Sequence, residues 1–328
     1  MTANLRPLTL REILDGSLRI YRGGFFVFAG IASFPALAYA ALSTIGRMFG
    51  PNQPNSGKYL LFHMTLSGLS SKAAMYFVQE FIHLLFYPAF ACVTVGAITG
   101  QRSSLRPAIA AFRNRAKEFL ALALALATVE VLVPALLFIG SAALIGRIAD
   151  AHAGGALAAG AELVFVLIVL LIVGFIVSMG TSLAFSFPAS VLEGAAWLES
   201  LKRSWALSRG CRAKIFLVWL LIFVVGMGLI LLVVLPTDIL VFALHWKRFA
   251  WHGYPLYRLL NLLEIVLVST LLGPIFPIVL TLIYYDQRIR HEGYDIERMM
   301  DAAGMNAPVA PHPGDGPAAP AEAGEGQD

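Results

Sequence analysis

Three glutamates lie inside long apolar segments of the chain, where a charged side chain is costly. They are Glu80, Glu130 and Glu264. A carboxylate at membrane depth normally faces the protein interior or water and has a partner, so each is a candidate for function. His83 lies three residues after Glu80, and Asn261 three before Glu264, spacings that bring side chains together on one helix face. The sequence therefore predicts an intramembrane polar site formed by these five residues.

This polar site has three interpretations. The glutamates are neutral or internally hydrogen-bonded structural groups, or they line a polar cavity for a proton, an ion or a small ligand. The third interpretation is a metal site, because Glu-x-x-His is half of the di-iron pattern. That pattern needs a second Glu-x-x-His and two more glutamates, and the sequence has one copy. We therefore predict no metal and no other cofactor. Counted at ~1.5 Å per residue from the span ends, the three glutamates share one layer in the outer half of the membrane.

The composition indicates the elements that must hold these residues. The 328 residues are 58% hydrophobic and 13% charged, whereas soluble domains are near 45–50% apolar and ~25% charged. Crossing ~30 Å of hydrocarbon takes about 20 apolar residues as a helix. Six such runs occur, at 25–45, 73–98, 119–145, 163–187, 215–235 and 256–283. Because they do not alternate apolar and polar residues as barrel strands do, we predict an all-α, polytopic membrane helix bundle with about six transmembrane helices.

Part of the chain repeats. Tyr87-Pro88-Ala89 ends an apolar run, a basic stretch follows, and another apolar run begins; Phe187-Pro188-Ala189 opens the same order again. Two parallel repeat units, at 73–146 and 163–244, are the simplest interpretation. A fainter third copy opens the chain, where residues 17–23 align with 204–210. Prolines that interrupt or end the spans occur at positions 88, 134, 188, 236, 274 and 277, and kinks and span ends are their plain interpretation. The alternative is a broken stretch at Gly273-Pro274 in the sixth span, which would form a hinge or expose carbonyls as in transporters.

Basic residues indicate the orientation. Most of the 24 Lys and Arg residues precede the first span, follow the last, or lie between spans two and three and spans four and five. Cytoplasmic loops hold an excess of such residues. We therefore expect a multi-pass protein of a bacterial inner membrane with both termini in the cytoplasm, and Cys92 and Cys211 as reduced packing residues.

Amphipathic segments carry many of these basic residues. Thr9 and Glu12 predict a capping box for a helix that ends near Gly23, and the linker between spans four and five presents Trp197 and Trp205 on one side. Such interfacial amphipathic helices lie against the membrane with basic groups toward anionic headgroups. The predicted basic collar comprises Arg19, Arg22, Arg106, Arg113, Arg115, Lys202, Arg203 and Arg209. The alternative is that these helices are elbows that re-enter the membrane and place positive charge inside.

The predicted organisation has four parts: a cytoplasmic amphipathic helix at 1–24, the six-helix membrane domain at 25–285, a charged cytoplasmic cap at 286–300, and a tail at 301–328. The cap contains Asp286, Arg288, Arg290 and Glu292, and the four-residue spacing of Asp286 and Arg290 favours an ion pair. The tail is rich in Ala, Pro and Gly, and its low apolar content predicts disorder.

Three stretches carry a family resemblance. They are residues 5–15, the linker at 200–210, and 284–295, which reads Tyr-Tyr-Asp-x-Arg-x-Arg-x-Glu-Gly. Together they resemble bacterial multi-pass proteins that are similar to the membrane domain of glycerophosphoryl diester phosphodiesterase, and the likeness covers 5–297. In that enzyme the chemistry belongs to a separate soluble barrel, for which this chain has no room. The resemblance implies a membrane module without the catalyst, so it supplies no active-site residue.

Three functions are compatible with these features. The first is a non-enzymatic membrane module that anchors or assembles protein partners or lipids at the cytoplasmic leaflet, with the phospholipid bilayer as its constant partner. The second is a small transporter or lipid translocator that uses the glutamate layer. The third is an intramembrane enzyme acting on phospholipid, which the absence of a nucleophile and base pair disfavours. Nucleic acid is not an expected partner, because a net charge of +4 leaves no basic domain beyond the loops.

Overall fold

The computed structural model describes residues 8–49, 66–101, 104–151, 156–243 and 255–292, and its regular elements there are all helices. The helices are α1 (Leu10–Gly23), α2 (Phe25–Phe49), α3 (Leu66–Leu85), α4 (Tyr87–Ile98), α5 (Arg106–Ala127), a π-helical turn (Thr128–Leu132), α6 (Val133–Ala151), α7 (Ala156–Leu183), α8 (Ser186–Glu193), α9 (Trp197–Ser208), α10 (Arg212–Ala243), α11 (Pro255–Leu272) and α12 (Ile275–Glu292). Six segments of this part are long and apolar enough to cross a membrane, which confirms the all-α, six-span prediction. The predicted tail at 301–328 and the cap beyond 292 lie outside the described residues.

Helix α1 begins at the predicted capping box. The Thr9 hydroxyl accepts a hydrogen bond from the Glu12 backbone N–H at 3.3 Å, and the Glu12 carboxylate accepts one from the Thr9 N–H at 2.8 Å. The helix ends at Gly23, as the sequence predicted. Ile13, Ser17 and Tyr21 are buried at four-residue intervals, so one face of α1 packs on the bundle while the other is exposed.

Three spans are broken rather than continuous. Helix α3 is separated from α4 at Phe86, α7 from α8 at residues 184–185, and α11 from α12 at Gly273-Pro274. Pro88, Pro188 and Pro277 lie in the first turn of the helix after each break, where a missing N–H costs little. The structure therefore has a helix break at Gly273-Pro274, as the second interpretation of these prolines predicts. Pro236 and Pro35, in contrast, lie inside α10 and α2 without ending them.

Hydroxyl groups from the amphipathic helices satisfy backbone groups near two of these breaks. The Ser204 hydroxyl of α9 donates to the Ser182 carbonyl at 2.9 Å and accepts from the Phe185 N–H at 3.0 Å. The Tyr21 hydroxyl of α1 donates to the Leu271 carbonyl at 2.9 Å. Irregular backbone at membrane depth is stable only when such partners replace water.

The same order of elements occurs three times in space. A short helix after a proline break leads to an amphipathic helix and then to a long apolar helix: α4 leads into α5, and α8 leads through α9 to α10. The third set joins the two chain ends, because α12 packs against α1, which leads to α2. Helices α4, α8 and α12 contact one another. The C-terminal span thus supplies the half that the N-terminal copy lacks in the sequence.

Burial separates the centre of the bundle from its lipid-facing helices. Phe28, Phe90, Phe185 and Tyr284 are almost fully buried and come from all three sets of helices. Helices α7 and α10 instead expose large apolar side chains along their lengths, with Leu171 73% exposed. Helices that are apolar on every side suit a hydrocarbon environment, so the architecture is a polytopic membrane helix bundle.

Candidate functional site

A partly open cavity of about 610 Å³ lies among the membrane spans. Its described lining residues belong to five of the six spans, all but the first. Most are apolar, and the side chains with polar groups include Glu80, His83, Tyr87, Glu130 and Thr181. The volume is within the 300–1,000 Å³ of typical ligand pockets. The cavity therefore combines an apolar wall with a small group of convergent polar side chains.

Glu80 and His83 lie three residues apart on one face of α3, and both line this cavity. The Glu80 Oε1 atom lies 3.8 Å from His83 Nδ1, and both side chains are about one-third exposed. The His83 ring meets the Tyr87 ring edge-on with centroids 5.4 Å apart. The predicted three-residue pairing is thus present in the structure, and it places an imidazole beside one of the two cavity glutamates.

Glu130 reaches the cavity from the π-helical turn Thr128–Leu132. The Val133 N–H bonds to the Thr128 carbonyl, five residues back, so the turn holds one extra residue. Such π-bulges occur frequently at functional sites. Glu130 lines the same cavity as Glu80 and Tyr87. Among the described residues Glu130 has no hydrogen-bond or ion-pair partner, so the contents of the cavity must solvate it.

Glu264 differs from the other two predicted glutamates. It is buried on α11, which packs against α2 and α10, and it does not line the cavity. The structure therefore brings two of the three glutamates together. The side chain of Asn261 lies outside the described part of the chain. Because the second span begins at Leu69, four residues earlier than predicted, Glu80 lies about 16 Å from that end, near the middle of the membrane.

A second cavity of about 370 Å³ adjoins the first and lies between α2, α3 and α11. Glu80, His83 and Gly273 line both cavities. Gly273 has no space for a side chain, because an added Cβ would lie 2.4 Å from the Ser269 carbonyl oxygen. The Glu80–His83 pair therefore stands between the two chambers, at the break between α11 and α12.

At the other site of interest, which we call the basic end, Asp286 joins the two ends of the chain. This end comprises α1, α9, the first turns of α5 and α10, the end of α8 and the last turns of α12. The fully buried Asp286 carboxylate accepts hydrogen bonds from the Leu8 N–H at 2.7 Å, Lys214 Nζ at 3.0 Å and Arg290 Nε at 3.0 Å. Arg290 also donates to the Leu8 carbonyl at 2.9 Å. The predicted Asp286–Arg290 ion pair is present, and α12 continues through it into the core.

Glu193 has a similar role at the end of α8. Arg203 of α9 donates to both carboxylate oxygens at 3.0 to 3.1 Å, the Tyr284 hydroxyl donates a short hydrogen bond, and Arg288 Nε lies 3.5 Å away. Bidentate, charge-assisted bonds of this kind offset much of the cost of burying a carboxylate. Glu193 therefore ties α8 to α9 and α12. The side chain of Glu292, the last predicted cap residue, lies outside the described part.

The predicted basic collar divides into two kinds of residue. Six of the eight are exposed: Arg19, Arg22, Arg106, Arg113, Lys202 and Arg209. The half-buried Arg203 is held by Glu193. Arg115 is also half-buried, at a kink inside α5, and its guanidinium donates to the carbonyls of Ser190 and of Ala195, the latter at 2.6 Å. These two arginines therefore join helices, whereas the other six are available to the surroundings.

Burial also controls the titratable groups beside the basic end. It raises the pKa of the Cys211 thiol to about 11 and raises the pKa of Tyr21. Cys211 is 4% exposed, which agrees with its predicted packing role. Within the described ranges, no three His, Cys, Asp or Glu side chains form a group that could hold a metal ion.

Several residues of these sites were not predicted. Tyr87 and Trp219 line the cavity, and Glu193 and Lys214 bind across the basic end. Glu193 had a usable signal, since a lone carboxylate closes an apolar span just before a basic linker. The partner of Lys214 had none, because it comes from a helix 72 positions away in the sequence.

The fold and its polar groups define a multi-pass integral membrane protein of broken helices. The chain belongs to the family described as domain of unknown function DUF7847, whose model matches residues 24–287. No curated protein and no solved structure matches the chain.

Proposed function

We propose that this protein is a non-enzymatic carrier or translocator for an amphiphilic, lipid-like ligand. The single observation that carries the proposal is the cavity of about 610 Å³ within the spans, with an apolar wall and two carboxylates. A ligand with an apolar body gains by leaving water for such a wall, while its polar group meets Glu80, His83 and Glu130. The breaks beside the cavity provide positions at which helices can hinge, as in transporters.

The proposed setting is the bacterial inner membrane with both termini in the cytoplasm. The basic residues gathered at one end of the bundle support this orientation. The likeness to the membrane domain of glycerophosphoryl diester phosphodiesterase supports a membrane module that works without that enzyme's soluble catalytic barrel. Reporter fusions after residue 292 and within 50–65 test the orientation, and we expect cytoplasmic activity only for the first.

A matched pair of glycine variants on α7 tests the proposal. Gly180 lines the cavity, and a Cβ added there would meet no atom within 4 Å, so Gly180→Leu is chosen to fill part of the cavity. Gly174 lies on the same helix, is exposed and lacks neighbours within 4 Å, so Gly174→Leu is the control. The full-length proteins are labelled with an alkyl diazirine amphiphile in membranes, and labelled peptides are mapped by mass spectrometry. We expect labelling around Leu126 and Phe187, which line the cavity and are almost fully buried, in the wild type and in the control variant. Gly180→Leu should lose it, and equal labelling in all three proteins would reject the cavity as a ligand site.

A second candidate function is favoured by the exposed arginines and lysine of the basic collar. On α1, α5 and α9 these side chains accompany exposed apolar residues such as Leu18, Ile109 and Leu198. That combination suits contact with anionic headgroups, so the protein anchors or assembles lipids or partners at the cytoplasmic leaflet. Replacing the six exposed collar residues by Gln should lower the anionic lipid that co-purifies with the protein, with Lys72→Gln as the control. An unchanged lipid content would contradict this role.

A further inference from the structure

The described lining of the cavity has more acidic than basic side chains. It contains two carboxylates, and none of its described lining residues is Lys or Arg. The one basic side chain among its described lining residues, His83, lies beside Glu80 at 3.8 Å. Glu130 therefore lacks a countercharge from the protein in the described region, in a setting where an isolated carboxylate is costly. Such a group is stabilised by a positively charged ligand that enters with it.

Resting on the proposed carrier function, we propose that the cavity binds an amphiphile whose polar group is a cation without phosphate, such as an amine or a quaternary ammonium. Glu130 supplies the main countercharge, because Glu80 is shared with His83. The apolar wall takes the body of the ligand. This assigns a chemical class of ligand to the cavity and a specific role to Glu130.

Aromatic rings beside the carboxylates support a cationic ligand. The Tyr87 and Phe187 rings lie 5.7 Å apart and both line the cavity. Trp219 and Phe223 stack on each other at 5.5 Å on another wall. The faces of aromatic rings attract cations, most strongly where water is excluded. The aromatic rings and the carboxylates therefore both attract a cation.

A phospholipid headgroup fits this cavity poorly. Its phosphate is bound best by cationic donors, and the described lining offers one side chain that can carry a positive charge, His83, against two carboxylates that would repel the phosphate. The guanidinium and ammonium groups that suit a phosphate lie instead at the basic end, on residues such as Arg106 and Lys202. The two parts of the molecule therefore select opposite charges.

An isosteric pair of ions tests the inference. Full-length protein in nanodiscs is titrated with tetraphenylphosphonium and with tetraphenylborate, which have the same shape and opposite charge; empty nanodiscs give the background. We expect saturable binding of the cation and none of the anion. Glu130→Gln should weaken cation binding at least about tenfold, the equivalent of one lost charge interaction of 1.4 kcal/mol. Glu130→Asp keeps the charge and should retain binding, which separates lost charge from misfolding.

The two possible sources of a cationic group are distinguished in the same assay. A long-chain primary amine should compete with tetraphenylphosphonium, whereas adding phosphatidylethanolamine to the nanodisc should not. Competition by the phospholipid would overturn the exclusion of phosphate. Equal or tighter binding of tetraphenylborate, no saturable binding of the cation, or cation binding unchanged by Glu130→Gln, would overturn the cationic class. None of these results would change the diazirine labelling or its loss in Gly180→Leu. The carrier proposal is therefore tested separately from the cationic ligand class.

Discussion

Two pairs of carboxylates in this protein have opposite surroundings. Glu193 and Asp286, at the basic end, are bound by arginine, lysine, tyrosine and backbone donors. Glu80 and Glu130, in the cavity, have one histidine at 3.8 Å between them among the described residues. The same chemical group thus joins helices in one region and faces an open space in the other. A carboxylate with protein hydrogen-bond and ion-pair partners stabilises the fold, whereas a carboxylate inside a membrane without such partners is a candidate for ligand binding.

The largest expected effect is the loss of the Asp286 carboxylate. Asp286→Ala leaves Lys214 and Arg290 without their buried partner and frees Leu8, so we expect a loss of about 3–5 kcal/mol in the free energy of unfolding. Chemical unfolding in mixed micelles measures it. Asp15→Ala is the control, because Asp15 pairs with Arg11 at 3.8 Å on the exposed surface of α1, where such pairs contribute little. Equal effects of the two substitutions on the free energy of unfolding would show that the buried contacts of Asp286 do not stabilise the fold.

Glu193→Gln should have the next largest effect. The amide cannot hold Arg203 in a bidentate ion pair, but the Glu193 side chain is 19% exposed, so water compensates in part. We expect a loss of about 2–3 kcal/mol, measured in the same unfolding assay. Glu199→Gln, at an exposed position of α9, should leave stability unchanged. A loss as small as that of the control would mean that α8 is held by packing alone.

A smaller effect is expected on the reactivity of the Cys211 thiol, which measures how often the basic end opens to solvent. Its pKa of about 11 and its 4% exposure keep the thiol protonated and covered at pH 8, so a maleimide should label it slowly in a Cys92→Ser background. Labelling should accelerate as the pH rises toward 11, because the thiolate fraction rises. Adding Asp286→Ala should accelerate it at pH 8. Arg209→Cys, at an exposed neighbouring position, gives the fast reference rate, and equal rates in both proteins would refute the closed arrangement.

The smallest effect on stability is expected in the cavity. Glu130→Gln removes a carboxylate that has no protein partner in the described region, so the free energy of unfolding should fall by no more than about 0.5 kcal/mol. Ligand binding should fall at the same time, as described above. A loss comparable to that of Glu193→Gln would show that Glu130 is a structural group. The comparison between the two pairs of carboxylates would then no longer hold.

Much of the fold was predictable because membrane constraints act locally. The runs at 25–45 and 119–145, the capping box at Thr9 and the break at Gly273 follow from residue types in short windows. The Glu80–His83 contact was also local, since both side chains lie on one face of α3. Each of these features depends on neighbours within a few turns of helix.

The rest required contacts between distant segments. Glu264 and Glu130 both lie inside long apolar runs, yet Glu264 packs inside the bundle while Glu130 reaches the cavity. Asp286 was predicted to begin a charged cap at the end of a span, but it is fully buried. The direction in which a helix face points depends on which helices pack around it, and periodicity along one helix does not contain that information.

The sequence by itself determined the spans, their breaks and the uneven distribution of basic residues, because the hydrocarbon core acts on every segment independently. The tertiary structure alone decided which carboxylates would be paired. It packed α1 and α10 against α12 and so brought Leu8 and Lys214 to Asp286. It also left the Glu130 carboxylate facing the cavity. Pairing is a property of contacts between segments that are far apart in the chain, so only the assembled bundle separates a structural carboxylate from a binding one.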